Sequence, residues 1–233
     1  MPFFYYYDPT YFLVIIGFIF AMIASTGVQR AFNKYSKVKS YRNYTGADAA
    51  RKILDDNGLY NVRIEHIGGN LSDHFDPKAN VIRLSDATFS DTSVAAIGVA
   101  AHEAGHAVQH AVGYVPIKVR NAIVPAVNLA STLSMPLFLI GLLFALPALT
   151  SLGIILFSAA LVFQVVTLPV EFNASRRALN VIRDSGMFVN EDYKGAKKVL
   201  SAAAMTYVAA LVTTVAQILY YVTRFLGTGR RND

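Results

Sequence analysis

The sequence predicts a mainly α-helical membrane protein with about four transmembrane helices and a small α+β unit. Of its 233 residues, 54% are apolar and 15% are charged, whereas an ordinary soluble domain has about 25% charged residues. The charged residues are absent from three long segments, and the polar segments between them carry helix-capping and strand-like patterns. Cysteine is absent, which excludes disulfide scaffolds and cysteine-ligated zinc.

The three charge-free segments have the lengths of membrane spans. They run from Pro9 to Gln29, from Asn121 to Val170 and from Val199 to Thr223. Because a spanning helix needs about 20 apolar residues, these segments hold one, two and one helices respectively. The middle segment divides around Leu146 to Gly153, where Pro and Gly favour a tight turn between antiparallel helices. The last segment is rich in Ala, so whether it fully spans a membrane stays open.

This pattern divides the chain into five parts. In order, they are an N-terminal transmembrane helix (1–29), a polar unit (30–120), a transmembrane hairpin (121–170), a second polar piece (171–198), and a C-terminal transmembrane helix with its tail (199–233).

The basic residues indicate the orientation of the chain. No Lys or Arg precedes the first span, whereas five follow it closely: Arg30, Lys34, Lys37, Lys39 and Arg42. By the positive-inside rule, the amino terminus lies outside and the polar unit lies in the cytoplasm of a multi-pass cell-membrane protein. A second basic cluster at 176–183 agrees with this orientation, whereas the carboxy-terminal Arg224, Arg230 and Arg231 do not.

The net charge of +6 is concentrated beside the membrane. Residues 30–42 carry tyrosines among their basic side chains, as membrane-surface anchors do. We therefore expect this stretch to contact lipid headgroups, and we expect no nucleic-acid partner.

Local signals in the two polar pieces predict several helices and short strands. They are a helix capped by Thr45 that ends at Asn57, a strand at 61–67, a hairpin of 71–75 with 81–84, a long helix capped by Ser90, Asp91 or Thr92 that ends near Ala111, and a helix from Pro169 to Gly186.

The segment His102-Glu103-Ala104-Gly105-His106 is an H-E-x-x-H motif within the long helix. Two histidines four residues apart lie on one helical face, about 6 Å apart along the axis, so both imidazoles reach one zinc ion. Glu103 then contacts a water on that zinc, and its carboxylate takes a proton from the water as the water attacks a peptide carbonyl. Gly105 costs about 1 kcal/mol in a helix interior, which indicates that another segment packs closely there.

A third metal ligand must come from outside the motif. His110 continues the four-residue spacing, but its rise places it about 12 Å from His102, too far for one ion. Glu171 is the first charged residue after the charge-free hairpin, and an antiparallel hairpin returns the chain close to where it began. Glu171 is the preferred third ligand and Asp184 the second choice. The other candidates are His66, Asp73, His74 and Glu191.

The motifs resemble those of a known family. Ala101 to Gln109, a hydrophobic hairpin, and then Glu171 to Ser175 resemble the bacterial membrane zinc metallopeptidases of the YugP type. Ser72 to Pro77, followed by Val81 to Ser85, is also similar to that family, so the likeness covers nearly the whole chain. HtpX peptidases and zinc-dependent CAAX prenyl proteases are more distantly similar, with the same order of motif, membrane segments and a later glutamate.

The resemblance implies an integral-membrane zinc endopeptidase with a zincin-like catalytic unit, acting on membrane proteins or peptides. It implies one zinc ion per chain bound by His102, His106 and Glu171, with Glu103 as the general base. Its partners are then the lipid bilayer and a polypeptide substrate. The chain departs from the distant relatives at Ser175, where they carry an Asp that can support a ligating histidine.

Two other functions remain open at this stage. An intramembrane site-2-type metalloprotease also carries H-E-x-x-H, but within a spanning helix and with a downstream L-D-G, which Asp184-Ser185-Gly186 matches poorly. A non-enzymatic membrane scaffold would close a structural zinc with four protein ligands, whereas three are convincing here.

Two roles within the peptidase interpretation are also open. The strand Val81 to Ser85 is either a sheet edge that accepts an extended substrate or an ordinary sheet strand. The donor that stabilises the oxyanion is one of Tyr193, Tyr207, Arg177 and His74, and the sequence does not choose among them.

Overall fold

The protein is described by a computed structural model over residues 10–186 and 188–223. Helices dominate these residues, as the sequence predicts. The elements in chain order are α1 (Tyr11–Tyr35), α2 (Gly46–Asp56), β1 (Arg63–His66), β2 (His74–Asp76), β3 (Val81–Leu84), α3 (Val94–Ala111), α4 (Val115–Leu143), α5 (Pro147–Asp184) and α6 (Asn190–Tyr221).

Among the described residues, four helices are long and apolar enough to cross a membrane, which confirms the predicted number. They are α1, α4, α5 and the part of α6 from Glu191 to Tyr221. Large apolar side chains on these helices are exposed where a soluble protein would bury them. Examples are Phe18, Ile23, Leu129, Ile155 and Val162. The basic Arg224, Arg230 and Arg231, which oppose the predicted orientation, lie outside the described residues.

The prediction that a helix begins at Pro169 is wrong. Pro169 lies inside α5, which continues from Pro147 to Asp184. Proline removes one helical hydrogen bond and therefore favours the first turn of a helix in soluble proteins. Membrane helices tolerate it, because neighbouring groups satisfy the freed carbonyl. Pro125 and Pro136 lie inside α4 in the same way.

The described residues form two compact units, and the first consists of residues 10–24, 120–166 and 207–223. Within it, α4 and α5 approach closely at two glycines. A Cβ atom on Gly141 would lie 2.4 Å from the backbone nitrogen of Thr150, and one on Gly153 would lie 2.6 Å from that of Phe138. Small residues at such positions allow membrane helices to pack backbone against backbone.

Polar side chains also join helices inside this first unit. The hydroxyl of Thr213 on α6 donates to the carbonyl of Gly17 on α1 at 2.8 Å. The amide of Gln164 on α5 donates to the hydroxyl of Thr214 at 2.9 Å. In an apolar environment such bonds have few competing partners, so they help to fix the helix pairing.

The second unit consists of residues 25–119 and 167–206 and contains the sheet. The strand order is β1-β3-β2, with β1 and β3 parallel and β2 and β3 antiparallel, so that Phe75 pairs with Ile82. The predicted hairpin is confirmed. The possibility that Val81 to Ser85 forms a sheet edge is wrong, because β3 has a partner on both sides. Its residues Val81, Ile82 and Leu84 are fully buried, as an inner strand requires.

Helices α2 and α3 cover this sheet, and their ends follow local capping chemistry. The capping box of Thr45 and Asp48 is confirmed at the start of α2. The predicted cap of α3 is wrong by one residue, because Ser93 is the N-cap and its hydroxyl accepts from the Ala96 amide. Asp91 instead pairs with Lys39 and accepts from the Ser93 backbone, so its side chain holds the preceding turn. Cores of this kind gain about 1.5–3 kcal/mol for each large apolar side chain fully buried. The largest here are Ile53, Leu54, Ile82, Leu84, Ile97 and Ile182.

We predict that Gly153→Ala lowers the thermal unfolding temperature of the detergent-solubilised protein. The new methyl group meets the Phe138 backbone nitrogen at 2.6 Å, and overpacking of this kind costs about 1–3 kcal/mol. Gly27→Ala is the control, because a Cβ atom there meets nothing within 4 Å. Equal unfolding temperatures for the two variants would contradict the close approach of α4 and α5.

Candidate metal centre

The two histidines of the motif lie one turn apart on α3. Their rings are perpendicular, with centroids 4.7 Å apart and an interplanar angle of 82°. The rest of the helix is surrounded by protein on most sides, and its small residues Ala100, Ala101 and Ala104 are fully buried. The helix therefore holds both imidazoles on one face, as the i, i+4 spacing predicts.

Glu171 reaches these histidines from α5. Its Oε2 atom lies 3.2 Å from His102 Nε2 and 3.6 Å from His106 Nε2, and its side chain is buried. The approach of the two helices depends on Gly105, where a Cβ atom would lie 2.7 Å from the carbonyl oxygen of Ala174. The close packing that the sequence predicts at Gly105 is confirmed, and α5 is the segment that packs there.

His102, His106 and Glu171 form a group that can hold a metal ion. Their ligand atoms lie within 4.8 Å of one another, and within the described parts of the chain no fourth His, Asp or Glu joins the group. Two imidazole nitrogens and one carboxylate are a typical donor set for zinc. Three protein ligands also leave a position for water or substrate, as in catalytic zinc sites, whereas structural sites have four.

The electrostatics of the group favour a positive charge at its centre. Burial by itself lowers the pKa of His106, but the hydrogen bond to Glu171 and the neighbouring carboxylates outweigh burial and raise it above its ordinary value. The buried carboxylate of Glu171 thus faces the His106 imidazole, which is stabilised in its charged form. A divalent cation fits the same electrostatic environment and needs the imidazoles neutral.

Hydrogen bonds on the far side of each ring hold the imidazoles in place. His102 Nδ1 lies 3.1 Å from the hydroxyl of Ser175, and His106 Nδ1 lies 3.0 Å from Oε1 of Gln109. Both rings therefore present Nε2 to Glu171. Ser175 contacts the ring at the position where the distant relatives carry Asp. Sequence reasoning missed Gln109, although its spacing of three residues from His106 on a helix places the two side chains side by side.

Glu103 lies beside the group and is held by the sheet. Its Oε2 atom accepts a hydrogen bond from the Phe75 backbone amide on β2 at 3.1 Å. Burial raises the pKa of the Glu103 carboxyl above its ordinary value, although the two histidines act in the opposite direction. A carboxyl group with a raised pKa is a better proton acceptor near neutral pH.

The structure does not bring the alternative ligands into the group. His110 is exposed, and its ring lies 5.8 Å from that of Phe75. Asp184 is exposed and pairs with Arg183 at 2.9 Å. Each remaining candidate has its own partner: His66 contacts Asp86, Asp73 contacts Ser85, His74 contacts Ser72 and Arg83, and Glu191 contacts Lys194.

Three of the candidate oxyanion donors have partners of their own within the second unit. Arg177 donates to Asn173, His74 contacts Ser72, and Tyr193 packs against the apolar core. Tyr207 belongs to the first unit. The choice among these residues stays open.

Comparison with known proteins identifies relatives along nearly the whole chain. A family model described as "Putative neutral zinc metallopeptidase" matches residues 10–226. The chain is 48% identical over 217 residues to "Putative membrane protease YugP" of Bacillus subtilis (strain 168), and the alignment covers 90% of this chain and 96% of that relative. No solved structure gives a significant match. These findings confirm the resemblance inferred from the motifs.

We predict that Gly105→Ala weakens zinc binding at least tenfold, because the new methyl group meets the Ala174 carbonyl at 2.7 Å and moves α5 with Glu171 away from the histidines. Zinc affinity is measured by competition with a fluorescent chelator. Gly98→Ala on the same helix is the matched control, since its Cβ would lie at an ordinary 3.6 Å from Ala196. Equal affinity of the two variants would show that the helix separation does not control the site.

Proposed function

Since this chain belongs to the neutral zinc metallopeptidase family, we propose that it is an integral-membrane endopeptidase that hydrolyses peptide bonds of membrane proteins or membrane-associated peptides. The observation that carries this proposal is the convergence of His102, His106 and Glu171 beside Glu103. The membrane helices support a substrate that lies in or near the bilayer.

We propose that the chain binds one zinc ion through Nε2 of His102, Nε2 of His106 and the carboxylate of Glu171. When bound, zinc polarises a substrate carbonyl and lowers the pKa of water toward neutrality. The chain's own contribution is to fix the three ligands from two helices and to exclude further protein ligands, so that one position remains for the reaction.

Glu103 acts as the general base in this proposal. The Phe75 amide holds one carboxylate oxygen, which leaves the other oxygen to accept a proton from the attacking water. The raised pKa of Glu103 suits this step, and the same carboxyl group then returns the proton to the leaving amine. Proton transfer by a positioned side chain contributes typically about 10²–10⁴-fold in rate.

The substrate's polypeptide backbone is proposed to add to strand β2. This strand is an edge of the three-stranded sheet, and its Phe75 amide contacts Glu103. An extended peptide laid along that edge therefore runs past the base and the metal ligands, with main-chain hydrogen bonds supplying affinity. The role of substrate-binding edge, which the sequence allowed for β3, is thus proposed for β2.

The structure favours neither of the alternative functions. An intramembrane site-2-type metalloprotease carries its H-E-x-x-H motif in a spanning helix, whereas α3 is not among the four helices long and apolar enough to cross a membrane. A scaffold with structural zinc needs a fourth ligand, and the described residues supply three.

We predict that Glu103→Ala keeps zinc and loses casein cleavage by at least about 10²-fold, because it removes the base but no ligand. Glu171→Ala is expected to lose both zinc and activity. Bound zinc is measured by elemental analysis of the detergent-purified protein. Cleavage is measured with casein as the substrate. Glu191→Ala is the control, since this exposed glutamate pairs with Lys194 one turn away.

Two results would overturn these assignments. Full activity of Glu103→Ala would exclude it as the base. Full zinc occupancy of Glu171→Ala would exclude it as a ligand.

We propose that the catalytic unit faces the cytoplasm, on the strength of the basic residues after the first span. The chain has no native cysteine, so Lys37→Cys and Phe144→Cys each create a single exposed thiol. A membrane-impermeant maleimide added to intact cells should label Phe144→Cys, in the α4–α5 turn, and label Lys37→Cys only after permeabilisation. The reverse pattern would invert the topology.

A further inference from the structure

We propose that Gln109 is a positioning residue that keeps a proton on Nδ1 of His106, so that Nε2 is the nitrogen that His106 offers to a metal. Asn173 and Arg177 on α5 fix the orientation of Gln109. This inference rests on the proposed function, since it takes His106 as a ligand.

The inference begins from a chain of hydrogen bonds that runs through the interior of the second unit. Gln109 Oε1 lies 3.0 Å from His106 Nδ1, and Gln109 Nε2 donates to Asn173 Oδ1 at 3.0 Å. Arg177 Nε donates to the same Asn173 oxygen at 2.8 Å. The Gln109 side chain is fully buried, whereas Asn173 and Arg177 are partly buried.

The donor at the far end of this chain sets the direction of every bond in it. A guanidinium can only donate, so the Asn173 atom that faces Arg177 is its oxygen. That oxygen then receives the amide nitrogen of Gln109, and the Gln109 oxygen faces His106. An oxygen acceptor at this place requires a proton on Nδ1 of a neutral His106.

A second acceptor confirms the orientation of the Gln109 amide. Its Nε2 also donates to the backbone carbonyl of Val170 at 2.8 Å. A carbonyl can only accept, so turning the amide over would set oxygen against oxygen at two places. Val170 directly precedes Glu171, so the same side chain also ties His106 to the backbone beside the third ligand.

The other histidine ligand lacks this control. His102 Nδ1 faces the hydroxyl of Ser175, which can donate or accept. The Ser175 hydroxyl by itself therefore fits either tautomer of His102. His106 is thus the ligand whose Nδ1 faces an obligatory acceptor, and the residues that support a ligating histidine typically contribute about 10–100-fold in metal affinity.

Substitutions of the residues in this chain of hydrogen bonds test the inference through their effect on zinc affinity. Gln109→Met and Asn173→Leu are expected to weaken zinc binding about 10–100-fold in chelator competition. Asn173→Asp should keep the wild-type affinity, because a carboxylate still accepts from both Gln109 and Arg177. Asn180→Leu, an exposed position on the same helix, is the control and should bind zinc as wild type does.

The tautomer itself gives a readout that a general loss of stability does not move. In the zinc-free, detergent-solubilised protein, long-range ¹H–¹⁵N spectra recorded at a pH where His106 is neutral should show it protonated on Nδ1. Gln109→Met should show a mixture of both tautomers, and Asn173→Asp should keep the wild-type signal. If Gln109→Met does not fold, the variants Asn173→Leu and Asn173→Asp provide the same comparison.

The outcomes separate this inference from the proposed function. If wild type binds no zinc, the proposed function fails. If wild type binds zinc and Gln109→Met and Asn173→Leu bind it equally well with an unchanged tautomer, only the role of the Gln109 chain is wrong. Loss of affinity in Asn173→Asp equal to that in Asn173→Leu would also overturn the inference, because hydrogen-bond acceptance at this position would then be irrelevant.

Discussion

The approach of α3 to α5 at Gly105 and Ala174 is the contact on which the candidate metal centre depends. A backbone carbonyl fills the space that a side chain at position 105 would need. Because a helix is rigid over a few turns, fixing this point also fixes Glu171 three residues earlier on α5. The two histidines on α3 and the carboxylate on α5 then meet at 3.2 and 3.6 Å. Glycine lowers the stability of helix α3, but it permits the close helix approach that the geometry of the site requires.

The buried polar side chains of the metal-ligand group occupy an environment where each must find a partner inside the protein. Glu171 is buried between two imidazoles, and the imidazoles are supported on their outer sides by Ser175 and Gln109. Buried networks of this kind are rigid when every member is satisfied, because the low dielectric strengthens each bond and penalises its loss. The ligands are therefore held in position by the packing and by hydrogen bonds, so a cation finds the donor atoms already arranged.

The sheet positions Glu103 beside the metal-ligand group through a backbone contact. The short strand β2 places the Phe75 amide against Glu103, and the inner strand β3 holds β2 in register. Sequence patterns identified the hairpin correctly, because alternation and turn residues are local signals. They did not identify which strand forms the edge, since strand order depends on the pairing of β1 with β3, which passes over β2 along the chain. The same limit explains Pro169, where a local helix-start signal was overridden within a long apolar helix.

The sequence by itself determined the membrane helices, the H-E-x-x-H motif and the choice of Glu171 as the preferred third ligand. These follow from composition and periodicity: charge-free segments of spanning length, two histidines at helical spacing, and a hairpin that returns the chain to its starting side. Only the tertiary structure decided which residues support the histidines. Gln109 and Asn173 are ordinary polar residues in the sequence, 64 positions apart, and their function depends on which atoms face each other across two helices. Hydrogen bonds have direction and short range, so their partners are set by three-dimensional packing and cannot be derived from spacing alone.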